Sequence, residues 1–197
     1  MDRDKDSRIE PRRPVRADRS DQDIIGAILS KAAAPAPSQE ATHRARDTAF
    51  AVYGFDGKAR VQTIFGQLPI EALRQRDSIL TSSGAYRQVT WITELKFDST
   101  FLNATPQAMP VLIGADSLSR GVPQRSFLTT QAQGVSLTKI PAFSNLEKVG
   151  TLTNRFGVSV RPTDFIRYYQ FGYGERGFVN VEGVWCAVDA EPRRSHR

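Results

Sequence analysis

The chain has 197 residues, 40% of them hydrophobic and 24% charged, with a formal net charge of +6. That length fits one domain with a tail, and no apolar run approaches the roughly 18 residues that span a membrane. A single cysteine, Cys186, excludes an internal disulfide, and the two histidines, His43 and His196, lie in polar end segments, which excludes a His-based triad or a zinc site in the body. The amino terminus alternates Asp and Arg where a secretory signal would be apolar. Together these features predict a cytoplasmic protein with no cofactor and no metal.

The charge divides unevenly along the chain. Residues 1–48 carry 10 Lys/Arg against 9 Asp/Glu and residues 191–197 three Arg against one Glu, which leaves residues 49–190 with 14 against 11. A body at +3 with no basic stripe interleaved with aromatics reads as ordinary solubility, so no nucleic-acid partner is expected.

Residues 1–48 mix opposite charges with Pro, Ala and Ser and contain no aromatic, the composition of an extended arm. Within it Ser20-Asp21-Gln22-Asp23 precedes Ile24, Ile25, Ala27, Ile28 and Leu29, a helix cap followed by an apolar face, which predicts a short helix over 21–31. The segment Ala32-Ala33-Ala34-Pro35-Ala36-Pro37 stops it and continues as an extended linker. Ile24, Ile25, Ile28 and Leu29 then either cap the body's own core or dock on a protein partner.

From Phe50 the periodicity changes. Val89, Trp91, Thr93, Leu95 and Phe97 alternate with polar residues, interrupted only by Ile92, the signature of a half-buried strand. Similar short runs at 59–64, 78–81, 110–113, 127–131, 167–171 and 178–182 are separated by glycines and other turn residues. Only 69–73 and 115–118 read as single helical turns, so the expected fold class is all-β: a body over 49–190 between the arm and a basic tail at 191–197.

These residues resemble a known family. Val61-Gln62-Thr63-Ile64-Phe65-Gly66, then Pro69-Ile70-Glu71-Ala72-Leu73 and Asp77-Ser78-Ile79-Leu80-Thr81, are similar to the opening block of the Hedgehog/intein (Hint) domain. Val89-Thr90-Trp91-Ile92, the stretch Pro110-Val111-Leu112-Ile113 through Arg125, Ile140-Pro141-Ala142, and Tyr168-Tyr169 through Ala187 resemble later blocks of its bacterial branch in the same order. The resemblance implies a β-body that cleaves or splices its own backbone. A Cys or Ser at the first residue attacks the preceding carbonyl, helped by a Thr-x-x-His block that polarises the scissile peptide.

The chain departs from that pattern at its chemical positions. Val52, Tyr53 and Gly54, which span the nucleophile's place, are neither Cys nor Ser; Thr129-Thr130-Gln131-Ala132 puts Ala132 where the block His belongs; and Gln170, Gly174 and Arg176 meet the polar pattern of the last hairpin. Among substitute nucleophiles, Thr48 has no base near it in sequence, Tyr53 has no visible activator, and Cys186 sits in a strand-like run as a core thiol. Asp77 is expected to hold the turn after Leu73, and Tyr168, Tyr169, Phe171 and Tyr173 to fill core and hairpin faces. The resulting expectation is that the protein is not an enzyme but an interaction module, an accessory subunit docked through its arm by Ile24, Ile25, Ile28 and Leu29. The alternative is a self-processing Hint peptidase with an unorthodox nucleophile.

Overall fold

Short apolar runs broken every few residues by turn formers leave no room for long helices, and the body accordingly folds from strands. The computed structural model describes residues 51–192. The helix expected over 21–31, its positions Ile24, Ile25, Ile28 and Leu29, Thr48 and both histidines lie outside the described residues.

Fourteen strands among the described residues form two antiparallel sheets. The first contains β1 (Phe55–Asp56), β6 (Trp91–Asp98), β7 (Pro110–Ile113), β8 (Phe127–Thr130), β11 (Val158–Val160) and β12 (Phe165–Gly172), in the order β11-β7-β8-β1-β12-β6. The second contains β2 (Arg60–Thr63), β3 (Gly66–Pro69), β4 (Ser78–Leu80), β5 (Tyr86–Gln88), β9 (Gly134–Ser136), β10 (Leu146–Lys148), β13 (Gly177–Val181) and β14 (Val184–Val188), in the order β10-β9-β14-β13-β2-β4-β5 with β3 paired to β2. The all-β class is therefore correct, and each expected strand run falls on one of these strands.

The longest pairing, β12 with β6, runs from Phe165 opposite Asp98 to Gly172 opposite Trp91. Successive residues of β12 face opposite sides, as the two-residue period of a strand requires. Tyr169 and Phe171 join the main core between the sheets with Phe55, Val61, Ile79, Val111, Ile113 and Val179. Ile166 and Tyr168 join a smaller cluster with Leu102 and Ala108. That second cluster is covered by a short helix α1 (Ser99–Ala104), capped by Asp98, whose Oδ1 accepts the Phe101 amide at 2.9 Å. Phe97 stacks on Phe101 with ring centroids 4.5 Å apart.

One local expectation fails. Residues 115–118 do not form a helical turn, because Asp116 takes a left-handed conformation (φ 61°) and the chain reverses there, Leu118 donating its N–H to Val122 O at 3.0 Å. The turn at 69–73 does form, as a 3₁₀ turn over Ile70–Ala72, and Asp77 holds its exit by accepting the Arg74 amide at 2.7 Å. Tyr168 and Phe171 are fully buried, Tyr169 and Tyr173 pack against the core, and Cys186 is buried, its thiol pushed up in pKa by burial.

The β13–β14 hairpin turns through Glu182 and Gly183, both with positive φ (51° and 88°), the two left-handed residues of a tight hairpin turn. A glutamate in that place is held from outside: its N–H donates to Arg60 O at 2.9 Å, its O accepts from Gln124 N at 2.8 Å, and its Oε1 accepts from Arg60 N at 3.0 Å. Glu182 is 2% exposed and its Oε2 is buried without a partner. Burial raises its pKa above the ordinary 4.5, against the opposing pull of the Arg60 amide and the Arg125 and Arg60 charges. Folding thus takes up a proton here, so the contribution of Glu182 is full below the unfolded pKa and falls as pH rises through the folded one. The melting temperature of the wild type is expected to drop relative to Glu182→Gln as pH rises above the ordinary glutamate range; parallel pH profiles of the two proteins in calorimetry would contradict this.

Candidate active site

The two-residue strand β1 is inserted between β8 and β12, Phe55 pairing with Thr129 on one side and with Tyr169 on the other. The chain entering the body at Tyr53 and Gly54 is therefore clamped by both neighbours. The Gly54 carbonyl accepts Thr129 Oγ1 at 2.7 Å and the Thr130 amide at 3.2 Å. One peptide upstream, the Tyr53 carbonyl accepts Gln170 Nε2 from β12 at 2.8 Å. Two consecutive carbonyls are thus gripped by side chains as well as by the sheet ladder.

Gly54 is required by this clamp. Its φ is +139°, a conformation open to glycine, and a Cβ added there would lie 2.9 Å from Tyr169 O and 3.3 Å from Tyr168 Cβ. Gly54, one of the three positions Val52, Tyr53 and Gly54 that span the nucleophile's place in the Hint resemblance, has no space for a side chain.

Beside the clamp lies a cleft of about 260 Å³ bordered by Tyr53, Gly54, Ala132, Gln170 and Asp189. Gln133, 2% exposed, fixes its far wall by donating Nε2 to Ala187 O at 2.8 Å, which ties the end of β8 to β14 and sets the neighbouring Ala132 at the rim. Trp91 Nε1 donates to Ala190 O at 2.8 Å and so fastens the chain that carries Asp189 as it leaves β14. Lys148 and Arg176 complete the border.

Of the positions singled out in the sequence, Tyr53, Gly54, Ala132, Gln170 and Arg176 converge on this cleft, while Gly174 stands outside it at a positive-φ turn. Cys186 is not at the cleft and is inert by burial. Two residues the sequence reading passed over are Thr129 and Gln170 as hydrogen-bond donors. Thr129 carried a signal, since it heads the Thr-x-x-His block whose last position is Ala132; Gln170 carried one as a position of the last hairpin's polar pattern, but its partner was not legible, because its register against Tyr53 is a property of the folded sheet. Among the described residues no three His, Cys, Asp or Glu side chains stand together as a metal-binding group, and no helix is long and apolar enough to cross a membrane.

The Hint domain family model matches residues 53–188, and the chain belongs to that family. Three solved structures are similar to it. The gp41-1 intein is 10% identical with a TM-score of 0.45, covering 69% of this chain and 98% of its own. The Msm DnaB1 intein splicing domain, bound with zinc, is 10% identical with a TM-score of 0.45, covering 68% and 99%. A DnaB intein from Synechocystis sp. PCC 6803 is 7% identical with a TM-score of 0.44, covering 70% and 99%. The chain matches no curated protein.

Family membership corrects the expectation that the protein is not an enzyme. That expectation counted residues absent from Val52–Gly54 and Ala132, yet the family match begins at Tyr53 and includes both Gly54 and Ala132. The count also omitted Thr129, which keeps the hydroxyl of the Thr-x-x-His block on the backbone of the entering peptide.

The clamp is testable by stability. Gly54→Ala should cost about 1–3 kcal/mol in urea unfolding, through a strained φ and the close approach to Tyr169 O. Thr129→Val should cost about 1 kcal/mol, the net value of one hydrogen bond. A Gly54→Ala variant as stable as wild type would show that β1 shifts freely and is not clamped.

Proposed function

We propose that this chain is a self-processing Hint protein that hydrolyses its own Tyr53–Gly54 peptide bond. One observation carries the reading: the Tyr53 carbonyl borders the cleft with the Gln170 amide on its oxygen at 2.8 Å. A neutral donor at that oxygen is already in place to stabilise the negative charge that develops there when the carbonyl is attacked. The two bonds to the Gly54 carbonyl hold the leaving-group side still.

None of Val52, Tyr53 and Gly54 is Cys or Ser, so the nucleophile in this reading is water, which makes the route a hydrolysis in place of an acyl shift. The water oxygen adds to the Tyr53 carbonyl carbon as Asp189 accepts one of its protons. The C–N bond then breaks, the same proton passes to the Gly54 nitrogen, and a carboxyl on Tyr53 and an amine on Gly54 remain. The segment cut from the body's chain is 1–53. It carries the proposed arm over 1–48 and the positions Ile24, Ile25, Ile28 and Leu29, which in this reading take a protein partner.

Mass spectrometry of the incubated full-length protein should show conversion to fragments 1–53 and 54–197. Gln170→Ala should slow that conversion by about 100-fold, the usual cost of removing one donor to a developing oxyanion. Ala132→His should accelerate it by restoring a base at the rim. A full-length mass that stays constant in both wild type and Ala132→His would overturn the reading.

A further inference from the structure

The cleft border holds two cations that the hydrolytic step does not use. Lys148 ends β10 and pairs in register with Gly134, next to Gln133 on the far wall. Arg176 comes from the β12–β13 connection, and its guanidinium lies 4.0 Å over the Phe143 ring, which packs on Phe178 with centroids 4.7 Å apart. A guanidinium held over an aromatic face is positioned by that contact, and its planar fork of N–H donors is suited to a carboxylate. Among the described residues no carboxylate forms an ion pair with Lys148 or Arg176.

We propose that Lys148 and Arg176 form a carboxylate-binding wall that retains the acyl product. This rests on the hydrolytic reading above, which creates a carboxylate on Tyr53 within the same cleft. The cut segment 1–53 then stays bound to the body through its new C-terminal carboxylate, and cleavage changes the chain's connectivity before it changes its composition. Both cations are at the exposed rim, so the retention weakens as salt screens them.

The probe is acetate, titrated into the intact full-length protein at constant ionic strength against chloride and followed by the Arg176 Nε–Hε resonance. A saturable, acetate-specific shift is expected, with affinity about tenfold lower in Lys148→Gln. A second measurement uses the cut protein: fragments 1–53 and 54–197 should co-elute in gel filtration for wild type and separate for Lys148→Gln/Arg176→Gln. The two readings fail separately. An uncut chain whose Arg176 responds to acetate overturns hydrolysis and supports the carboxylate wall, whereas a cut chain whose Arg176 shows no acetate-specific shift overturns the wall and supports hydrolysis. Equal co-elution of the fragments in wild type and double variant also overturns the wall.

Discussion

The structure depends on how one strand of two residues is held. β1 has neither the length nor the side chains to fix itself, and a lone pair of strand residues is far below what a stable sheet segment needs. It is fixed because Phe55 is buried in the main core, and because Thr129 on one neighbour and Gln170 on the other hydrogen-bond to the carbonyls that lead into it. Gly54 makes the close approach possible: any side chain there would collide with the Tyr169 backbone. The same absence of a side chain that lets the clamp close leaves no nucleophile at Gly54, one of the three positions that span the nucleophile's place in the Hint resemblance. Structural and chemical consequences of one residue are therefore inseparable here.

Once β1 is fixed, the cleft follows. β8 must end beside it, which brings the Thr129–Ala132 block to the carbonyls, and Gln133 then binds the second sheet through Ala187 O. The exit of β14 is held by Trp91 from β6, which sets Asp189 on the opposite side. The cleft is thus assembled from the segments around β8, β12 and β14 and the start of β1. These segments are far apart in sequence and meet only when both sheets are complete.

Much of the fold was legible in the sequence because it rests on local patterns. The period-two run ending at Phe97 became β6, Pro110–Ile113 became β7, and Asp77 caps the turn after Leu73. What was not legible had non-local causes. α1 is six residues long, too short for a helical period to show, and it forms because Asp98 caps it and Leu102 finds a buried site. β1, β9 and β10 are two or three residues each and exist through their partners. Residues 115–118 read as helical by composition but reverse at Asp116, where contacts with Val122 and Pro123 decide the conformation. At the site, the sequence located the positions of nucleophile and base and saw them vacated. It did not show that Thr129 and Gln170 grip successive carbonyls, since that follows from the register of β1 against β8 and β12. Counting missing residues therefore led to the wrong conclusion about activity.

The central claim is that water attacks the Tyr53 carbonyl held by Gln170. Incubating the full-length protein in water enriched in heavy oxygen tests it most directly, with both fragments then analysed by mass spectrometry. The account predicts one heavy oxygen on the C-terminal carboxyl of fragment 1–53 and none on fragment 54–197. An intact, unlabelled chain, or a cut at any other peptide bond, would contradict it.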